Sequence, residues 1–392
     1  MKAFFERLFA IFFVFCIVFI PLNFDGKGFQ FQITKFFFHD FIQFLQNNFF
    51  ENALKSIDFS SDTIAFNLLL FSLLLISILF VFVLHISKCR KIKWIEISRT
   101  IVVYYLVFIL LKYGFDKIFK AQFYLPEPNI LYFNFGDLSR DILYWSTIGT
   151  SRFYSVSLGL IEVFTAFLLL VNRTRILGLL FAIGVFANVI LVNFGFDISV
   201  KTFSVLLLLM TIFAIFPQLK LLFEFLIQRK NVEISTLNFY LIKQKPIRNA
   251  IKTFVIGLMF IQTLNPYFQS KNFNDDSVSR PFLHGVYDVI ESNQKAVDFK
   301  INRFFIHRKN YLILEIENGK QIDYFFELNQ SKKQFKLIGY NAKVQIINYN
   351  YSTQDSILQL YFPDFKIKGK ERNWRNLKVL KNDFHWTIDE IK

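Results

Sequence analysis

The sequence is poor in the residues that build redox and metal centres. Its two cysteines, Cys16 and Cys89, lie in different segments, and no C-x-x-C motif is present. This distribution argues against dithiol exchange and against cysteine-ligated iron–sulfur clusters. The five histidines are scattered, and only His85 lies in or near an apolar run. No haem site with two histidine ligands and no metal-ligand spacing is therefore evident.

Acidic residues are also scarce, with 30 Asp and Glu against 45 Lys and Arg, which gives a formal net charge of +15. The sequence has no zinc-finger spacing and no basic helix with interleaved aromatic residues, so we do not expect nucleic acid as a partner. Excess positive charge of this kind is typical of the cytoplasmic loops of membrane proteins.

Apolar residues, in contrast, are abundant: 54% of the chain is hydrophobic, and phenylalanine alone contributes 55 residues. A chain this apolar cannot bury its surface in one soluble core, which predicts an integral membrane protein in contact with membrane lipids. A spanning helix needs about 20 mostly apolar residues. We predict seven spans, at residues 4–22, 64–86, 97–111, 153–171, 176–192, 202–216 and 250–264.

Lysine and arginine set the predicted orientation. They cluster before the first span and in the loops that follow the second, fourth and sixth spans. The positive-inside rule places these segments in the cytoplasm. We therefore expect a bacterial inner-membrane protein with a cytoplasmic N-terminus and a periplasmic C-terminal region, although one miscounted span would reverse the side of that region. The first span resembles a signal sequence without a cleavage site, which predicts an uncleaved anchor.

Composition divides the chain into four predicted regions. They are two transmembrane helices with an outer interfacial helix (1–98), a core of four transmembrane helices (99–218), a cytoplasmic loop with the final span (219–267), and a β-rich extra-cytoplasmic domain (268–392). Aromatic residues at helical spacing favour the interfacial helix, with a partner-packed loop as the alternative. In the last region, alternating runs flank Asn318-Gly319, which is a strong hairpin signal. We expect a β-sandwich or an open barrel, and take a sandwich-like domain as the fold class beside the helical bundle.

One acidic residue lies inside a predicted span. Glu162 is about 15 Å along a helix that starts near Arg152, close to the bilayer centre. A charged side chain there costs on the order of 2.5–3.5 kcal/mol, so Glu162 should face the bundle and be either paired or protonated. Two interpretations stay open. Glu162 is a proton carrier or ligand anchor, or it belongs to a structural ion pair between helices.

Further polar residues lie on the predicted outer half of the same spans. The candidate ligand-binding residues are Asp116, Lys117, Asn188, Asn193 and Asp197, and Lys201 joins Glu162 as a candidate catalytic residue. Interhelical hydrogen bonding is the alternative role for the asparagines. Ordinary helix-end electrostatics is the alternative for Asp197 and Lys201, which are four residues apart.

The middle of the chain resembles a known family. "YGFDKIFKAQF", "YWSTIGTSRFYSVSLGLIE" and "LLLVNRTRILGLLFAIGVFANVILVNFGFDISVK" occur in the order found in DoxX-like membrane proteins of the long Bacteroidota type, over about residues 99–218. "LHGVYDV" and the terminal "FHW" resemble that form's C-terminal domain. The resemblance implies a four-helix core formed by spans three to six. Related members are linked to quinol-coupled oxidation of sulfur compounds and to membrane redox complexes, while most have no assigned activity.

The leading hypothesis is therefore a quinone or another lipid-soluble ligand bound near the outer face of this core, as part of a membrane redox system. The alternative is a non-enzymatic scaffold whose C-terminal domain binds an envelope protein. A transporter is less favoured, because discontinuous helices and inverted repeats are not apparent. The residues leave open whether the protein is an enzyme.

Overall fold

The computed structural model describes residues 2–22, 28–50, 57–86, 93–232, 237, 244–293, 300–339, 343–381, 385–387 and 389. Cys89, the basic residues 88, 90 and 91, and Phe384 of the terminal "FHW" motif lie outside the described residues.

The first two thirds of the chain is helical, as its apolar runs predict. The helices are α1 (Lys2–Phe19), α2 (Phe29–Phe49), α3 (Ile64–Ile86), α4 (Trp94–Ile118), α5 (Pro128–Leu131), α6 (Arg140–Thr150), α7 (Arg152–Leu170), α8 (Arg175–Gly195), α9 (Lys201–Ile215), α10 (Leu219–Leu226) and α11 (Lys245–Ser270). The predicted interfacial segment forms α2, on which Phe29, Phe36 and Phe37 are exposed.

Within the described residues, six helical segments are long and apolar enough to cross a membrane. They are Ile64–Ile86, Trp94–Ile118, Arg152–Leu170, Arg175–Gly195, Lys201–Leu226 and Lys245–Ser277. These segments indicate a multi-pass membrane protein. The predicted first span forms α1, which has 18 residues with Glu6 and Arg7 near its start and is not among the six.

The chain forms two compact units, and each is discontinuous in sequence. The first unit contains residues Met1–Ile118 and Ser157–Lys271, and the second contains Phe119–Val156 and Asn272–Lys392. The core of the first unit is made mainly of Leu, Phe, Ile and Val side chains from α1, α2, α3, α4, α7, α8 and α9. The four predicted composition boundaries remain predictions.

The β-rich C-terminal region is confirmed, but its predicted sandwich-like shape is wrong. In the described part of this region eight strands follow the helices: β1 (Gly285–Asn293), β2 (Ile301–His307), β3 (Tyr311–Ile316), β4 (Gln321–Asn329), β5 (Gln334–Ile338), β6 (Val344–Ser352), β7 (Ile357–Tyr361) and β8 (Lys366–Arg372). Each strand pairs antiparallel with the next one along the chain. Strand β1 also pairs antiparallel with β8, so the sheet closes into a barrel. Closure satisfies both edge strands, which a sandwich would leave unpaired.

Side chains fill the barrel, as is usual when eight strands close on themselves. Tyr287 of β1 and Phe304 of β2 are fully buried, with their rings stacked at a centroid distance of 5.0 Å. The β3–β4 turn contains Gly319 at φ +79°, a conformation that glycine adopts without strain, at the predicted hairpin position. Gly369 of β8 packs against the stacked rings, because its missing side chain leaves the space that Phe304 occupies.

We predict that Gly369→Ala destabilises the barrel by about 1–3 kcal/mol, the usual cost of overpacking. The new methyl group would overlap two ring atoms of Phe304 and lie 2.8 Å from Tyr287 Cβ. Chemical denaturation followed by circular dichroism measures the change. Gly136→Ala is the matched control, since an added Cβ there meets nothing within 4 Å. Equal stability of the two variants would contradict this packing.

Candidate functional site

The structure brings together two of the residues singled out in the sequence, Lys117 and Glu162. Lys117 Nζ on α4 lies 2.8 Å from Glu162 Oε2 on α7, and the two residues are only 7% and 6% exposed. The carboxylate that the sequence places near the bilayer centre is therefore both buried and paired. Pairing matters here because a buried charge without a partner is costly in an apolar helical unit.

Two glycines explain how the helices carrying this pair approach so closely. A Cβ on Gly114 of α4 would lie 3.0 Å from the Gly159 carbonyl oxygen and 2.7 Å from Val163 Cγ2. A Cβ on Gly159 of α7 would lie 2.5 Å from the Gly114 carbonyl oxygen. Small residues allow such close backbone contact between helices. Lys117 and Glu162 each follow their glycine by three residues, on the same helix face.

Asp116 belongs to a neighbouring polar group on α4 and α11. The Tyr267 hydroxyl of α11 donates a hydrogen bond to Asp116, and Lys112 Nζ lies 3.7 Å from the same carboxylate. The sequence analysis missed Lys112 and Tyr267. The i,i+4 spacing of Lys112 and Asp116 could have predicted their ion pair. Tyr267 lies beyond the predicted end of the seventh span, because α11 continues to Ser270.

A cavity of about 770 Å³ lies in the same unit, between α4 and α11. Its walls are mainly apolar and aromatic, including Tyr104, Phe108 and Met259, and Gln262 also lines it. Arg175 and Arg248 line it as well. Phe108 is one helical turn before Lys112, so the row of residues that faces the cavity on α4 continues into the polar group of Lys112 and Asp116.

The remaining predicted residues are placed elsewhere on α8 and α9. Asn188 is exposed on the surface of α8, while Asn193 is buried and donates to the Val200 carbonyl oxygen at 3.4 Å. Asp197 and Lys201 form an i,i+4 ion pair at 2.7 Å, in which the Asp197 side chain is 79% exposed. These contacts stabilise the connection between the end of α8 and the start of α9.

The second unit contains a charged network that the sequence analysis did not predict. Glu127, only 3% exposed, accepts a hydrogen bond from His284 Nε2 at 2.8 Å and pairs with Arg308 Nε at 3.2 Å. Arg308 also reaches Asp275 at 2.6 Å, and Arg280 reaches the same carboxylate at 3.2 Å. His284 is the histidine of the "LHGVYDV" motif, but its partner is 157 residues away in the sequence.

Burial and neighbouring charges shift the pKa values of buried groups in and near this network. Burial opposes ionisation of Glu127, but the hydrogen bond with His284 and the charges of His307 and Arg308 outweigh it, so the pKa of the Glu127 carboxyl lies below its ordinary value. Nearby, Lys120 is fully buried and donates to the Gly149 carbonyl oxygen at 2.7 Å. Burial lowers the pKa of Lys120 even though Asp276 favours its charged form.

Among the described residues, no group of three or more His, Cys, Asp or Glu side chains could hold a metal ion.

Comparison with known proteins gives one relative. A stretch of 106 residues is 31% identical to "Uncharacterized protein YwoB" of Bacillus subtilis (strain 168), and the match covers 27% of this chain and 67% of that protein. Over this stretch the chain belongs to the same family as YwoB, whose name gives no activity, ligand or partner. No protein-family model matches the chain, and no solved structure matches it. Membership of the DoxX-like family therefore stays a prediction.

We predict that Glu127→Gln destabilises the second unit by roughly 1.5–3 kcal/mol at pH 7, because it removes the charged acceptor of His284 and leaves Arg308 paired with Asp275 alone. A lowered folded pKa contributes stability that is fully present above the ordinary value of 4.5 and is lost as the pH falls through the folded pKa. The difference in melting temperature between wild type and variant should therefore shrink below about pH 4.

The control for this prediction is Glu327→Gln, which removes an exposed partner of Lys336 at 3.0 Å. Surface pairs of this kind contribute about 0–1 kcal/mol. If Glu127→Gln melts like Glu327→Gln at pH 7, the network does not stabilise the unit.

Proposed function

We propose that the protein is a multi-pass inner-membrane protein of DoxX-like type that binds a quinone or another lipid-soluble ligand within its helical unit. In this proposal α1 spans the membrane in addition to the six segments, so the N-terminus is cytoplasmic and the barrel is periplasmic, as the distribution of Lys and Arg favours. Glu162 and Lys117 hold and move a proton beside the ligand site. The observation that carries the proposal is their buried ion pair between α4 and α7.

The cavity between α4 and α11 fits the proposed class of ligand. Its volume of about 770 Å³ lies within the range of small-molecule sites, and its apolar and aromatic walls suit a hydrocarbon tail. Gln262 can donate a hydrogen bond to a carbonyl oxygen from within the lining. A quinone supplies paired electron and proton transfer at its carbonyl oxygens when it is bound.

The polar group beyond the cavity provides the proton chemistry. Glu162 contacts the Lys117 ammonium, and Asp116, the residue before Lys117 on α4, is held by Tyr267 and Lys112. A proton taken up by Glu162 neutralises its carboxylate, and its release restores the ion pair with Lys117. Pairs of titratable groups in an apolar site are suited to this role.

We predict that Glu162→Gln reduces quinone binding at least about tenfold and lowers stability, because it leaves the Lys117 ammonium buried without its carboxylate. The decisive variant is Lys117→Met combined with Glu162→Gln, which removes both charges. Replacing a buried pair by uncharged side chains is often neutral for stability. The double variant should therefore melt like the wild type while its quinone binding stays lost, as measured by quinone titration of the purified protein in detergent.

The matched control is Asp197→Asn, which removes the exposed ion pair of Asp197 with Lys201. We expect this variant to bind quinone and to melt like the wild type. A purely structural ion pair predicts a different result: the double variant would regain both stability and quinone binding. That outcome would contradict a role of Glu162 in the ligand site.

The alternative function is a non-enzymatic scaffold whose barrel binds an envelope protein, and one surface feature favours it. Phe325, Ile338 and Val344 occupy paired positions on β4, β5 and β6, and Ile346 follows on the same face. Val344 and Ile346 are 56% and 61% exposed. A contiguous apolar row on the outside of a barrel is typical of an interaction surface.

The scaffold alternative predicts that an envelope protein co-purifies in stoichiometric amount with the wild type and is lost with Ile346→Lys, because a lysine in the apolar row cannot be desolvated at low cost. Asn350→Lys is the control, since Asn350 is exposed on the same strand and face. Quantitative mass spectrometry of cross-linked samples measures the result. If both variants recover the partner equally, this surface is not where the partner binds.

A further inference from the structure

The cavity between α4 and α11 is basic at one end and mainly apolar along the rest. Among its lining residues on α11, Arg248 and Lys252 lie in the first two turns. Val255 and Met259 follow, and Gln262 is last. At the rise of an α-helix, Lys252 lies about 15 Å from Gln262 along the axis. The basic end and the Gln262 end are therefore separate places in one cavity.

Two hydrogen bonds show that the basic end gathers side chains from different helices. Lys252 Nζ of α11 donates to the Leu170 carbonyl oxygen at 2.7 Å. Arg175 Nε of α8 donates to the Leu169 carbonyl oxygen at 3.1 Å. Both carbonyl groups belong to the last turn of α7. Because Arg248 lies one turn before Lys252 in the same lining, three positive side chains are collected at this end.

The described lining carries positive charge and no negative charge, since it includes no Asp or Glu. The Leu170 carbonyl group that binds Lys252 is neutral, and the end of a helix carries only about half a negative charge. Arg248 and Lys252 are partly exposed as well as lining the cavity, so a bound anion can contact them. The electrostatics of this end therefore favour a negatively charged group.

An apolar stripe continues from the basic end along α11. Ile251, Val255 and Leu258 line the cavity, and their spacing places them on one face of the helix. Ile251 and Leu258 are 46% and 47% exposed, so this part of the lining reaches the surface of the unit. Exposed apolar side chains of a membrane-spanning helix contact the hydrocarbon chains of lipids. The stripe therefore suits an acyl chain beside the basic end.

We propose that the basic end of this cavity binds the headgroup of an anionic phospholipid. The phosphate lies between Arg248 and Lys252, and one acyl chain lies along the apolar stripe. Arginine forms paired hydrogen bonds with phosphate, and basic pockets between membrane helices on the cytoplasmic side are typical sites for anionic headgroups. A zwitterionic lipid would bring a further positive charge to the same place, and a soluble anion would leave the stripe uncovered.

The test is native mass spectrometry of the purified full-length protein in detergent, titrated with dioleoylphosphatidylglycerol and with dioleoylphosphatidylcholine. We expect the anionic lipid to bind at least about tenfold more tightly than the zwitterionic one. Arg248→Gln combined with Lys252→Gln should abolish that preference. Arg248→Gln alone keeps the hydrogen bond of Lys252 to α7, and it should weaken binding of the anionic lipid at least about threefold. The single variant keeps the test decisive if the double variant does not fold.

The matched control combines Arg173→Gln with Lys245→Gln. Both side chains are exposed near the starts of α8 and α11, and neither lines the cavity. The control removes the same amount of charge and should keep the lipid preference. Equal binding of the two lipids by the wild type, or equal loss of preference in both double variants, would overturn the proposal. Glycerol phosphate that binds as tightly as the anionic lipid would also overturn it, because the acyl chain would then contribute nothing.

This inference goes beyond the proposed function, and its failure can be told apart from the failure of that function. The combined Lys117→Met and Glu162→Gln variant should keep the wild-type lipid preference, because both residues lie outside the lining. Quinone binding without a lipid preference would overturn this inference alone. A lipid preference without quinone binding would support this inference and contradict a quinone as the ligand.

Discussion

The need to neutralise buried charge is the constraint on which both units of this protein depend. In the helical unit the ammonium of Lys117 and the carboxylate of Glu162 lie 2.8 Å apart among apolar side chains. In the second unit Glu127 is held between His284 and Arg308. An ion taken out of water costs several kcal/mol unless a partner satisfies it. Each set of contacts therefore ties together segments that are distant in sequence.

Glycines, which lack a side chain, are as important for the packing as the buried charges. Gly114 and Gly159 allow α4 and α7 to approach until Lys117 and Glu162 meet. A methyl group on Gly159 would overlap the Gly114 carbonyl oxygen, and one on Gly114 would overlap the Val163 side chain. Gly369 leaves space for the stacked rings inside the barrel in the same way. Glycine weakens helices and strands in isolation. At these positions the gain in close packing offsets that cost.

Much of the fold could be predicted, since hydropathy and alternation are local properties of the sequence. Long apolar runs predicted the helices, and Asn318-Gly319 predicted the β3–β4 hairpin at the observed position. Barrel closure could not be predicted, because it depends on pairing between β1 and β8, at opposite ends of the domain.

The candidate site was harder to predict than the fold. Glu162 was recognised because it is an acidic residue deep in a predicted span, but its contact with Lys117 follows from a helix crossing that no local pattern specifies. The Glu127 network was missed for the same reason, since Arg308 lies 181 residues away. Asn188, singled out by type and depth, lies on the exposed face of α8.

The proposed function requires a lipid-soluble ligand within the helical unit. Purification of the wild-type protein from native membranes, followed by extraction and mass spectrometry of the bound lipids, quinones and proteins, tests for it. We expect a quinone or another lipid-soluble molecule in about stoichiometric amount, because the cavity has the size and the mainly apolar lining of a small-molecule site. A bundle that carries no such molecule, with an envelope protein bound in its place, would contradict it.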